Sequence, residues 1–242
     1  MQPRSSVAHS QTNLRSADNT KGWIDAADVA LQCSSSMLRH ARDLVVQSQN
    51  GSIGQIGREA IAYEIESLRA GLIDIANTRH AGRHLFAGRA DSVGAFDADG
   101  TYLGDAETVN QTVADGQQVQ VNVIGCDAFG DGPDSIFAVL DTIAGHLRTD
   151  PGAVGANLTV LDAGTDRILT ALDSIGARSD PTDGSHDRSP AHTTTLQGHL
   201  SEVESSDLTE TIMELQMQEV AYQFALAATA RVIQPSLLDF LR

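Results

Sequence analysis

Apolar positions along this chain recur at spacings of three and four over long stretches, the period of amphipathic helices. The first such stretch carries Ile24, Ala27, Leu31, Ser34, Leu38, Ala41, Val45 and Ser48, a seam in which large and small side chains alternate. Trp23, Ala30, Met37 and Leu44 run beside it at sevens. Together they predict one helix of about 27 residues, roughly 40 Å long. Asn50-Gly51 is expected to end it, since both residue types adopt the left-handed angles that close helices. A second helix is expected from about Ile56 to Thr78, with Ile61, Ile65, Leu68, Leu72 and Ile75 on its apolar side. The short link Gly51–Gln55 makes it an antiparallel neighbour of the first. Ahead of both, residues 1–19 are polar and without clear period, and read as a flexible remnant with at most weak helix after Thr12.

From Gly82 the helical period disappears. Residues 88–132 are rich in Gly, Asp and Thr. Val119, Val121 and Val123 alternate with Gln118, Gln120 and Asn122, a period of two. Asp97-Ala98-Asp99-Gly100 and Asp115-Gly116 read as turns. This segment is expected to be a small β insertion of two to four short strands. Helices then resume. Ile136, Leu140, Ile143 and Leu147 mark a short one, started by Pro133 and Asp134 and stopped before Pro151. Val154, Leu158, Leu161, Thr165, Ile168, Leu172 and Ile175 mark a longer one. Pro181, Gly184 and Pro190 should break it, so no continuous helix is expected across residues 180–190. Leu196, Leu200 and Val203 open the last segment, with a restart at Asp207 and Glu210, which have capping-box spacing. The fold class is therefore mainly α: an elongated antiparallel helical bundle or coiled coil with a small β insertion. Residues 20–87 and 133–206 form its helical core.

Residues 207–242 differ from the other helices. Ile212, Met213, Leu215, Met217, Val220, Tyr222, Phe224, Leu226, Ala227, Val232 and Ile233 place apolar side chains on most sides. Pro235 should stop the helix, leaving Leu237, Leu238, Phe240 and Leu241 in an apolar tail. A helix that is apolar all round must be buried by something, and such a surface marks an interaction site. The candidate assembly interface is Leu215, Val220, Tyr222, Phe224, Leu226, Val232, Ile233, Leu237, Leu238, Phe240 and Leu241. The competing reading is a helix that packs back on its own bundle.

Composition narrows the function classes. The chain has 242 residues, 41% hydrophobic but only 4% aromatic, as suits bundles with aliphatic seams. A net charge of -16 repels nucleic acid and anionic lipid, so neither is expected as a partner. Lys21 is the only lysine, which closes the enzyme classes that need a phosphate-loop or Schiff-base lysine further along. No run reaches the length of a membrane span, and the N-terminus has no signal-peptide core. Cys33 and Cys126 have no metal spacing and read as small buried or half-buried thiols, with a bridge between them left open.

Little other chemistry emerges. His80 and His84 have the i, i+4 spacing that grips zinc on a helix, but Gly82 intervenes and no Glu follows the metalloprotease pattern. Asp97-x-Asp99-Gly100 mimics half a calcium loop without its downstream Glu, and a turn is the better reading. The glycines from Gly125 to Gly132 lack the strand–helix frame of a nucleotide fingerprint. No catalytic residue, metal or cofactor is expected.

Three motifs carry a resemblance. Asn77-Thr78 followed by Gly82-Arg83-His84-Leu85-Phe86-Ala87-Gly88 is similar to the motif that closes the second helix in the flagellar hook-associated protein 3 family, the hook–filament junction branch of the flagellins. Leu44 through Gly51 resembles that family's first-helix end, and Gln218 through Gln223 with Gln234 through Arg242 resembles its C-terminus. The likeness spans about residues 20–178 and 196–242. It implies a non-catalytic subunit, exported unfolded without a cleaved signal peptide and located outside the cell in the flagellum. The implied partners are further copies of itself, neighbouring hook-associated proteins, flagellin and an export chaperone. It also implies that residues 207–242 polymerise and that 88–132 face outward. The family's additional N-terminal segment, with its Ser-Arg-Pro-Ser-like turn, has no counterpart here. The alternatives are a flagellin-type filament subunit and a helical export-chaperone or adaptor module.

Overall fold

The structure, a computed structural model, describes residues 2–90, 94–114 and 117–239. Helix α1 spans Gln2–Ser48 and α2 spans Gln55–Ala76. Two short antiparallel hairpins follow, β1 (Arg79–His80) with β2 (Arg83–His84), and β3 (Asn110–Ala114) with β4 (Gln117–Gln120). Helix α3 (Gly125–Phe129), α4 (Ile136–Thr149) and α5 (Asn157–Asp239) complete the chain. Mainly α with a small β insertion is thus the observed class. The chain divides into two compact units, one of residues 12–189 and one of residues 1–11 with 190–242.

In the larger unit the predicted seam of α1 is buried along its whole length, from Ile24 to Ser48. Two of the small positions, Ser34 and Ser48, are polar, and both hydroxyls are satisfied. The Ser34 hydroxyl donates to the Ala30 carbonyl (2.8 Å) and that of Ser48 to Val45 (2.6 Å), so each satisfies itself within its own helix. The alternation lets large side chains from neighbouring helices seat over the small ones. Ile61, Ile65 and Leu72 of α2, Ile136, Leu140, Ile143 and Leu147 of α4, and Leu161, Ile168 and Ile175 of α5 fill the same core. Polar clamps cross its rim. His40 meets Glu64 (2.8 Å), Arg42 meets Asp162 (2.8 Å), and Arg148 grips Glu66 with both terminal nitrogens while lying over the Tyr63 ring.

Five expectations are corrected. Residues 2–19 are helical, because α1 gains further burial there: Ala17 is fully enclosed, Thr20 donates to Gln111 Oε1 (2.7 Å) and Ser16 to the Thr112 carbonyl (2.7 Å). Asn50-Gly51 does not close α1 with left-handed angles, since neither is among the residues at positive φ. Asn50 instead caps the turn through its side chain, accepting from the amide and hydroxyl of Ser52. Helix α4 starts on Ser135, whose hydroxyl accepts from the Ala138 amide, behind a 3-10 turn at Gly132–Asp134. Residues 180–190 do not interrupt α5, nor does the helix restart at Asp207. A proline removes one helical donor and crowds one carbonyl, and the long flanking helix outweighs that local penalty of ~3 kcal/mol. For the same reason Pro235 does not stop α5, which reaches Asp239.

The insertion is built around a buried aromatic cluster of Phe86, Phe96, Tyr102, Phe129 and Phe137, with ring centroids 5.0–5.7 Å apart. Asn77 ties it to the end of α2. Its Oδ1 accepts from the amides of Ala95 (2.7 Å) and Phe96 (3.0 Å), and its Nδ2 donates to the Phe96 carbonyl (2.9 Å). Asn122, fully buried, serves the second hairpin likewise, accepting from the Val109 amide and donating to the Glu107 carbonyl. Asp97 folds its turn by accepting from the amides of Asp99 and Thr101. Gly100 closes that turn at φ 85, where a Cβ would fall 2.5 Å from that of Phe137. The alternating Val119, Val121 and Val123 are buried as predicted, and the turn expected at Asp115-Gly116 lies outside the described residues.

Two outcomes are expected. Replacing Asn77 with Ala strands two amides and a carbonyl and should cost about 2–4 kcal/mol in urea denaturation; a loss under about 0.5 kcal/mol would refute the pinning role. The two hydrogen bonds from Arg148 hold the Glu66 carboxyl below the usual carboxylate range. A depressed folded value gives stability that is present above the unfolded carboxylate range near pH ~4.3 and lost as pH falls through the folded value. Glu66→Gln should therefore flatten the acid limb of the stability curve slightly, the pair being half in water.

Candidate assembly interface

Within residues 210–231 every side chain of α5 is exposed. Among them are Met217 and Phe224 at 73%, Tyr222 at 67% and Leu215 at 65%, values that belong to surface lysines and not to such apolar groups. At 100° per residue these side chains fall into two opposed stripes. Met213, Met217, Val220 and Phe224 form one, and Ile212, Leu215, Tyr222 and Leu226 the other. Glu210, Glu214 and Gln218 separate them along one flank, Gln216 and Gln223 along the other. A helix with one apolar stripe needs one neighbour; this one has room for two. Of the predicted interface residues, Leu215, Val220, Tyr222, Phe224 and Leu226 are thus exposed together on one helix. Val232, Ile233, Leu237 and Leu238 continue its helical backbone, with side chains outside the description, and Phe240 and Leu241 lie outside the described residues.

The histidine pair belongs to a different arrangement. His84 holds its Nδ1 against the Asn77 carbonyl (2.9 Å) and accepts from Arg79 Nε–H on Nε2 (3.0 Å), which places its proton on Nδ1. His80 points to the other face of the hairpin, edge-on to Trp23 (5.8 Å). Both His84 nitrogens are committed and the two rings do not converge. Among the described residues no group of three or more His, Cys, Asp or Glu gathers as a metal site. No described helix is long and apolar enough to cross a membrane.

The cysteines need one correction. Cys126 is half-buried, but Cys33 is exposed, because it falls on the face of α1 turned away from the Leu31–Ser34 seam. Both thiols are free. What the pattern of the sequence missed is the aromatic cluster. Its rings are scattered singly from residue 86 to 137, three in loops, one in α3 and one in α4, and no common period announces them. Burial there pushes the Tyr102 hydroxyl up to about 12 while it donates to the Phe86 and Asp105 carbonyls.

This architecture has known counterparts. Residues 4–91 match the family of the bacterial flagellin N-terminal helical region, including the stretch before residue 20 that the motifs had left out. Beyond that match, the chain is similar to flagellar hook-associated protein 3. It is 29% identical to the Escherichia coli protein over 145 residues, covering 59% of this chain and 42% of that one. With the Salmonella typhimurium protein the identity is 28% over 127 residues, covering 46% and 40%. The chain therefore spans about two fifths of the length of these relatives. In fold it is similar to Xanthomonas campestris FlgL (TM-score 0.70, 18% identity, 82% of this chain and 99% of that one). Bacillus cereus FlgL is comparable (0.69, 22%, 80% and 97%), and Bacillus cereus flagellin is more distant (0.53, 17%, 72% and 88%).

The thiols give a measurable contrast. Burial raises the Cys126 pKa, so its thiolate fraction is low near neutrality. A disulfide-exchange reagent should titrate Cys33 at least about tenfold faster than Cys126 in the folded chain. Equal rates would contradict the burial difference.

Proposed function

We propose that this chain is a structural subunit of the bacterial flagellum that assembles through its terminal helix at the junction of hook and filament. The observation that carries the reading is the helix of residues 210–231, exposed on every side although two of its stripes are apolar. Exposed stripes of this extent are stable in water only when another surface covers them. Two opposed stripes on one helix favour contact with two neighbours, the arrangement from which rings and filaments grow. The kinship with flagellar hook-associated protein 3 supports the same reading. We read the chain as a building element without catalysis.

Further copies of the chain would cover the stripes, with neighbouring hook-associated proteins and flagellin at the two ends of the layer. An export chaperone would shield the terminal helix beforehand, and the working location is outside the cell, reached without a cleaved signal peptide. A filament subunit of flagellin type is the second reading. The likeness to Bacillus cereus flagellin favours it, though at a TM-score of 0.53 against about 0.70 for the junction proteins. A chaperone or adaptor is disfavoured because such a module has no use for an uncovered apolar helix of its own.

Leu215→Asp with Phe224→Asp places one charge in each stripe. Removal of residues 234–242 shortens the same element. Both changes should leave the helical content of residues 12–189 intact by circular dichroism and abolish oligomers in sedimentation velocity. Oligomers of undiminished size in both variants would sink the reading.

A further inference from the structure

The two stripes of the terminal helix are not equivalent, because each carries one charge and the two are of opposite sign. Glu219 lies seven residues from both Ile212 and Leu226, four after Leu215 and three before Tyr222, so it stands on the midline of their stripe. Arg231 lies seven residues after Phe224 and eighteen after Met213, which is five full turns. It therefore extends the line of Met213, Met217, Val220 and Phe224. Arg231 is the only lysine or arginine between Arg188 and Arg242. Both side chains are exposed, and neither has an ion pair among the described residues. The other charges of residues 210–231, Glu210 and Glu214, sit on the flank between the stripes.

A stripe that closes on another surface takes its charge out of water with it. A charge enclosed without a counter-ion is strongly unfavourable, so whatever covers a stripe has to answer the charge in it. Two copies can pair their stripes in three ways. The Glu219 stripe on its own counterpart sets carboxylate against carboxylate in either direction, since Glu219 is the centre of residues 212–226. The Arg231 stripe on its own counterpart sets arginine against arginine when parallel, and against Met213 when antiparallel over residues 213–231. The mixed pairing, one stripe on the other, is the one that gives each charge its opposite.

We propose that successive copies of the chain pack head to tail through this helix, the stripe of Met213 and Phe224 on the stripe of Ile212 and Leu226 of the next copy, with Arg231 paired to Glu219. The inference rests on the self-assembly argued above and names its mode. A layer with different neighbours at its two ends has one polarity, so its copies run parallel. Arg231 then comes level with Glu219 when neighbouring helices are displaced by twelve residues, about 18 Å along the axis. The same shift carries Phe224 to the level of Ile212. Such a contact is heterologous: it uses two different faces of one chain and leaves one of them open at each end of a growing oligomer. The ion pair fixes the register, as a polar residue in an apolar helical seam does.

The test uses the full chain with Glu219→Arg, with Arg231→Glu, and with both changes together. Circular dichroism establishes that each variant is as helical as the parent. Each single variant sets like charges against each other and should need about tenfold more protein for half-assembly in sedimentation velocity at low salt. The double variant restores opposite charges, and an equimolar mixture of the two single variants restores them at every contact between unlike chains. Both should return to within about twofold of the parent. Single variants that assemble like the parent, or a mixture as impaired as its components, overturn the proposal. The Leu215→Asp/Phe224→Asp chain separates the two ideas. If it fails to assemble while both single charge variants assemble normally, the terminal helix reading stands and this one falls. If the parent stays monomeric at every concentration, both fall.

Discussion

The seam of α1 is the element on which the rest of the larger unit is laid. Its large and small side chains alternate from Ile24 to Ser48, and all of them are enclosed. Helices α2, α4 and the first turns of α5 contribute the opposite sides of the same core. Where a small position is a serine, the hydroxyl returns to its own helix, so close packing needs no outside partner for it. The insertion depends on the bundle in turn. Asn77, the cap of α2, uses three hydrogen bonds to hold the strand that carries Phe96 into the aromatic cluster. Arg69 of α2 adds bonds to the Ala98 and Asp99 carbonyls, so the insertion is fixed to that helix by a carboxamide and a guanidinium.

The terminal helix follows a different rule. In the core, each apolar stripe meets another stripe of the same chain. Residues 210–231 carry apolar stripes whose side chains are exposed among the described residues. The enclosed seams stabilise the fold by removing apolar surface from water, whereas the stripes of residues 210–231 stay exposed.

Much of this was legible from spacing alone. Period three-and-four placed the buried faces of α1, α2, α4 and the start of α5, because burial on one side leaves a periodic record. Alternation found Val119, Val121 and Val123. The apolar excess around Leu215 to Leu226 falls on side chains that are exposed along one helix. What stayed hidden has no period. Phe86, Phe96 and Tyr102 lie singly in irregular segments, Phe129 and Phe137 in two separate helices, and only tertiary folding gathers them. The ends of helices were misjudged where a local preference met a longer-range gain. Ala17 and Thr20 extend α1 by burying themselves against the second hairpin, and Pro181 and Pro190 lie within a helix that outlasts them. The i, i+4 spacing of His80 and His84 lies in a hairpin that sends the rings to opposite faces.

The aromatic cluster also bears on the order in which the chain organises. Its members close a loop of some fifty residues, from Phe86 to Phe137, and Asn77 reaches only 19 residues ahead to Phe96. The clamp between α1 and α5, by contrast, joins Arg42 to Asp162 across 120 residues. Closing the shorter loops sacrifices less chain entropy, so the centre of the chain is expected to condense before its two ends meet. Pulse-labelled amide exchange would see protection around Asn77 and Phe96 ahead of that in α5. A chain ordered in this sequence finishes its head first and leaves the pairing of its long helices until last, so the longest-range contacts are made by segments that are already folded.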